Sequence, residues 1–201
     1  MLISNNRDEV TFFHWEEPAV FRMDDAALVA RLRSDIGAAA DTILPVFRRS
    51  RPNATPTELY IAISTAGMWG ATLAEAESKV RQRGAPVYMY RYDYESSFPI
   101  KGTDWTLRAG HATEIQAKFE NADLGGLMGT KPDRFQAAKN VGAVWTSFAR
   151  TGHPQVPGGP AWPAYDLTAR ATMLVDIHSS LVNDPNQAER EVVQAQMVKQ
   201  G

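Results

Sequence analysis

The chain opens on an apolar run, Met1-Leu2-Ile3-Ser4, that stops at the turn-forming pair Asn5-Asn6. That pattern predicts a strand feeding a loop. An aromatic, irregular stretch from Thr11 to Val20 follows, interrupted by Pro18. Asp24-Asp25 can cap a helix with apolar positions Leu28, Val29 and Leu32. After Gly37 a second helix is predicted through Ile43, Leu44 and Phe47, with Pro45 expected to kink or shorten it. Thr55-Pro56-Thr57-Glu58 starts a third, leading into Leu59, Tyr60, Ile61 and Ile63. A fourth, from Met68 to Arg83, carries acids early (Glu75, Glu77) and bases late (Lys79, Arg81, Arg83), as the helix dipole favours. Gly84 is its expected cap.

Val87 to Tyr94 is the strongest strand, dense in residues suited to a pleated surface. A glycine-containing loop leads from it to His111. Pro132 or Asp133 opens an amphipathic helix with Phe135, Val141, Val144, Trp145 and Phe148 on its expected inward face, stopped at Thr151-Gly152-His153-Pro154. Ala171 to Asp176 is a last short strand, and the polar tail from Pro185 reads as helical. Helices alternating with strands predict an α/β fold, a few strands of a central sheet packed with helices. Only three strands are visible, where an open sheet has about five or six. Val87–Tyr94, apolar or aromatic on both faces, needs neighbours that the chain can hardly supply. Exposed apolar surface and an unpaired edge are therefore expected around Met1–Ser4 and Val87–Tyr94.

Composition narrows the chemistry. The 201 residues have 44% apolar and 22% charged content, the balance of a soluble globular protein, and a formal net charge of −2. No broad basic face for nucleic acid follows from that charge, and no apolar run is long enough for a membrane span. The absence of cysteine removes disulfides, thiolate metal sites and a cysteine nucleophile. The compartment stays undefined, cytoplasmic or secreted. Met1 leads straight into strand-like sequence, which reads as a naturally short chain or as a larger protein cut at that point.

Four histidines are candidates. His14 in the aromatic run, His153 in the helix-ending turn and His178 after the last strand read as structural or exposed. His111 differs because it sits in a glycine-containing loop beyond the strongest strand, with Glu114 close behind. Such loops are where α/β proteins place working side chains. One histidine and one glutamate fall short of the three or four ligands of a zinc site. Asn6-Arg7-Asp8-Glu9, taken alone, reads as a solvated charged turn.

Several segments, in order, resemble the type-B carboxylesterase family of the α/β-hydrolase fold. Leu2 to Glu9 resembles the stretch in which a strand delivers the triad acid, and Gly84 to Tyr92 the next core strand. Ala109-Gly110-His111-Ala112-Thr113-Glu114-Ile115, with Phe119-Glu120-Asn121, is similar to the family's histidine loop and helix. Trp145 to Pro154 and Trp162 to Asp166 resemble its C-terminal helix and following loop. The resemblance implies that residues 1–201 are the C-terminal portion of a carboxylesterase domain, with Glu9 as triad acid, His111 as triad histidine and Glu114 in support. It implies a small-molecule carboxylic ester as substrate, no cofactor and no metal. Val10 stands where the family usually has glycine, and Gln116 where proline is common.

The sequence contains no Gly-x-Ser-x-Gly, the strained turn that presents the serine of an α/β-hydrolase. Ser4, Ser64 and Ser147 lack those glycines, so none is a candidate nucleophile. The expected activity therefore needs the serine-bearing part of the same fold, in cis or in trans as one half of a split esterase. The alternative is a non-catalytic, esterase-like binding or interaction module.

Overall fold

The computed structural model describes residues 1–200, with side chains through Met197. Its main sheet is built from β1 (Leu2–Asn6), β2 (Tyr88–Tyr92), β5 (Ala171–Val175) and β6 (Ser180–Asn183), in the order β1-β2-β5-β6. The first three run parallel and β6 is antiparallel. Parallel neighbours require long crossovers, and the helices supply them. Between β1 and β2 lie α1 (Val10–Phe13), α2 (Asp25–Ile36), α3 (Ala40–Ser50) and α4 (Pro56–Arg81). Between β2 and β5 come the hairpin β3 (Ser96–Pro99) and β4 (Thr106–Arg108), then α5 (Thr113–Lys118) and α6 (Arg134–Thr151). The chain continues into α7 (Gln187–Gln200).

Strand alternation divides the core between the two faces of the sheet. Tyr90, Tyr92, Met173 and Val175 pack with Ala137, Ala138, Val141 and Val144 of α6. Met89 and Val87 pack on the other side with Leu73 and Ala76 of α4. β2 is therefore enclosed, paired by β1 and β5 on its edges and covered on both faces. This corrects the expectation of exposed surface there: the crossovers return β5 to its open edge. Among the described residues β1 pairs only with β2 and β6 only with β5, so the sheet's two free edges are β1, whose Leu2 and Ile3 are half-buried, and β6.

α4 is one helix of 26 residues where two were expected. Thr55 and Glu58 form a reciprocal capping box and Pro56 occupies the first turn. The Ser64–Gly67 stretch contains no proline, and a helical glycine costs only about 1 kcal/mol, which burial of Ile63, Leu73 and Ala76 outweighs. Its last residue is followed by a turn in which Arg83, not Gly84, takes the left-handed backbone. Pro45 does not end α3, which runs unbroken to Ser50. Phe135 and Trp145, expected inward, lie outside, where Arg134 and Lys118 cover their rings at 4.3 and 5.2 Å. Ala137, Ala138, Val141 and Val144 line the inner face of α6 together with buried Asn140, and Trp145 still donates its Nε1–H to Tyr90 Oη at 2.9 Å.

The polar tail helix is held by charge as well as packing. Glu189 is buried and accepts from Arg51 Nε and a terminal guanidinium nitrogen at 2.7 and 2.8 Å, and from Ser50 Oγ at 2.6 Å. Val193 is buried beside it, and Gly70 lets α7 approach: a Cβ there would stand 2.8 Å from Met197 Sδ. Glu189→Ala should destabilise the chain by roughly 2–3 kcal/mol, less than the roughly 3–5 of a fully buried pair because Arg51 is one-third exposed. Denaturant unfolding checks this; a change below about 0.5 kcal/mol would contradict it.

Candidate active site

The site is assembled where β1 ends. Arg7 N–H still donates to Tyr92 O at 3.0 Å, extending the strand pairing by one residue. The next two residues pair with the loop after β4: Asp8 N–H donates to Ala109 O at 3.0 Å, and His111 N–H to Glu9 O at 3.1 Å. Ala109 N–H returns a bond to Asp8 Oδ2 at 3.3 Å. Two loops distant in sequence are thus laced together by their backbones. Gly110 is needed at that seam, since a Cβ would overlap Thr11 Oγ1 and come within 2.8 Å of Leu107 O. Arg108 and Ala112, on either side, hold left-handed backbone at φ +51° and +66°. Each such residue costs about 1–3 kcal/mol, which the surrounding bonds must offset.

This lacing delivers the Glu9 carboxylate to the His111 ring. Glu9 Oε2 lies 2.7 Å from His111 Nδ1, and Oε1 accepts from Asn6 N–H at 2.7 Å. Glu9 is buried, whereas the His111 side chain is 47% exposed. An acceptor-only carboxylate at Nδ1 favours the tautomer with hydrogen on Nδ1, leaving Nε2 as the ring's acceptor. Nε2 makes no hydrogen bond among the described residues. The Phe13 ring, half exposed, lies 4.9 Å from the imidazole and flanks it. The arrangement can take a proton at Nε2 and stabilise the resulting imidazolium through Glu9.

Glu114 sits one layer behind. Its Oε2 accepts from Asn6 Nδ2 at 2.5 Å and its Oε1 from Lys118 Nζ at 2.9 Å. Burial alone would raise its pKa, but the Lys118 charge and the Asn6 and Lys118 hydrogen bonds hold it below the ordinary 4.5. A lowered folded-state pKa contributes stability above the unfolded value that is lost as pH falls through the folded one. Glu114→Gln should therefore cost stability at neutral pH, and its deficit should shrink as pH drops below about 4.5. Urea midpoints across that range test this; parallel curves for the two proteins would refute it.

The other histidines lie elsewhere. His14 bonds Glu17 at 3.0 Å and Tyr60 Oη at 3.2 Å, His153 bonds Tyr88 Oη at 2.6 Å, and His178 is exposed. Val10 is buried and opens α1, so its side chain fits where glycine was expected. Gln116 lies within α5, and its Oε1 accepts from Met128 N–H at 3.2 Å, clasping the following loop. Among the described residues no cluster of three potential metal ligands occurs, and no helix is long and apolar enough to cross a membrane. Asn6, which bonds both Glu9 and Glu114, reads from the sequence only as part of a turn. The polar Asn5-Asn6 pair ending an apolar strand was the available signal.

The family model described as "Carboxylesterase family" matches residues 18–195. The chain belongs to the carboxylesterase family. That match takes in His111 and Glu114, while Glu9 lies ahead of its first residue. Among carboxylesterase relatives, the para-nitrobenzyl esterase of Bacillus subtilis is 27% identical over 198 residues, 95% of this chain and 37% of its own length. Mouse liver carboxylesterase 1 is 27% identical over 152 residues, 76% of this chain and 25% of its own. In structure, a Geobacillus stearothermophilus carboxylesterase superposes with a TM-score of 0.77 at 29% identity, over 96% of this chain and 40% of that one. The fold is therefore that of α/β-hydrolase esterases, in part: the chain spans between a quarter and two fifths of these relatives.

Proposed function

We propose that this chain is the C-terminal portion of a carboxylic ester hydrolase and contributes Glu9 and His111 to a Ser-Glu-His triad. The observation that carries this reading is the 2.7 Å contact between His111 Nδ1 and the buried Glu9 carboxylate, on a half-exposed ring whose Nε2 makes no hydrogen bond among the described residues. An esterase needs that geometry: Nε2 takes the proton from a serine hydroxyl as it attacks the ester carbonyl, then returns it to the departing alcohol. Glu9 fixes the ring and offsets the imidazolium charge.

The serine comes from outside these 201 residues, which contain no Gly-x-Ser-x-Gly. Backbone donors for the developing oxyanion belong to that same portion. A span of about two fifths of the length of bacterial esterase relatives supports this division. The oriented His111–Glu9 pair favours catalysis over a purely adhesive module, which has no use for a fixed tautomer. Joining the chain to a serine-bearing N-terminal portion of a family member should restore hydrolysis of a para-nitrophenyl ester. A well-folded joined protein with no hydrolysis would overturn the reading.

A further inference from the structure

We propose that Asn6 is a positioning residue for this pair, one side chain and one amide that lock the acid, the histidine loop and Glu114 into a single geometry. The inference rests on the Glu9–His111 reading. Asn6 is buried at the last position of β1, and its register opposite Tyr92 fixes its backbone. From there its main-chain N–H reaches Glu9 Oε1 at 2.7 Å, holding the carboxylate so that Oε2 faces the imidazole. Its carboxamide nitrogen has two hydrogens, and both are used. One goes to Gly110 O at 2.7 Å, immediately before His111, and the other to Glu114 Oε2 at 2.5 Å.

Neither aspartate nor alanine does all three tasks. Aspartate matches the shape but offers no donor and would set a third carboxylate beside Glu9 and Glu114. Alanine keeps the backbone bond and loses both side-chain bonds. Gly110 O also accepts from Thr113 Oγ1 at 2.7 Å, so the loop keeps its internal turn without Asn6. What it loses is the side-chain tie to β1, the element that carries the acid. Glu114 is anchored from its other oxygen by Lys118, whose amine lies over the Trp145 ring. The result is a continuous path from α6 through Lys118, Glu114 and Asn6 to the acid–histidine contact. Its expected effect is on the tautomer and orientation of one ring, beyond any effect on stability.

The test uses the 201-residue chain itself, labelled with 15N and observed at the histidine ring nitrogens. The wild type should show the Nδ1–H tautomer for a resonance absent from His111→Gln. Asn6→Ala, with amide dispersion otherwise intact, should lose that Nδ1–H resonance or mix the tautomers. Should Asn6→Ala not fold, Asn6→Asp, which keeps the backbone bond and the shape but has no side-chain donor when ionised, decides in its place: loss of the resonance supports the role, retention overturns it. Glu114→Gln, which keeps an acceptor for the Asn6 amide, should retain the signal. A folded Asn6→Ala with the wild-type resonance overturns this inference and leaves the acid–histidine pair standing. A wild type without the resonance overturns the pair itself, and this inference with it.

Discussion

In a protein that joins this chain to a serine-bearing portion, Glu9→Gln should lower kcat by about 10⁴-fold, the loss that the equivalent acid-to-amide change causes in a serine protease. The amide can present its NH2 to Nδ1, which stabilises the tautomer with hydrogen on Nε2. That nitrogen is then a donor facing the serine and cannot accept its proton. Asn6 N–H lies 2.7 Å from Glu9 Oε1 and demands an acceptor, so the substituted carboxamide would turn its oxygen to Asn6 and its NH2 to His111. The geometry thus selects the damaging orientation of the amide. KM should move little, because neither oxygen contacts substrate. A loss in kcat below about tenfold would show that Glu9 does not orient the base.

Phe47→Ala should destabilise the chain by about 3–5 kcal/mol, the usual cost of deleting a fully buried aromatic ring. Phe47 sits on α3 in the cluster that includes Leu28 and Leu32 of α2 and Leu59, Tyr60 and Ile63 of α4. Arg51, one turn on, lies 5.9 Å from its ring and holds Glu189 of α7. A cavity at 47 therefore loosens four helices at once, and close packing prevents full collapse into it. The urea midpoint should fall with little change in slope. A loss under about 1 kcal/mol would mean that α3 is not part of the central packing.

Much of the fold was legible where one physical signal dominated. α2 and α3 followed from apolar spacing, and the Thr-Pro-x-Glu signature marked the start of α4. The apolar runs at 1–4, 87–94 and 171–176 became β1, β2 and β5 because alternating side chains are buried against helices on both faces. The remainder depended on partners. β3 and β6 are four residues each with no clear alternation, and they exist because β4 and β5 offer backbone bonds. Trp145 looked like core by spacing, yet Lys118 from another helix covers it on the surface.

The site divides in the same way. His111 stood out by its loop, whereas Glu9 was indistinguishable from a solvated charge until the family resemblance singled it out. Its burial comes from pairing with residues about a hundred positions away, which no local pattern encodes. Asn6 read as a turn residue because asparagine is common there. Its second task, bonding Gly110 and Glu114, arises only when the two loops meet.

The central claim is that this chain holds a base and its orienter without the nucleophile. Intact-mass measurement after exposure to a serine-directed fluorophosphonate addresses it directly. The 201-residue chain should keep its mass, and the joined protein should gain one phosphonyl group on the serine of its Gly-x-Ser-x-Gly. A stoichiometric adduct on a serine of this chain alone would contradict the account.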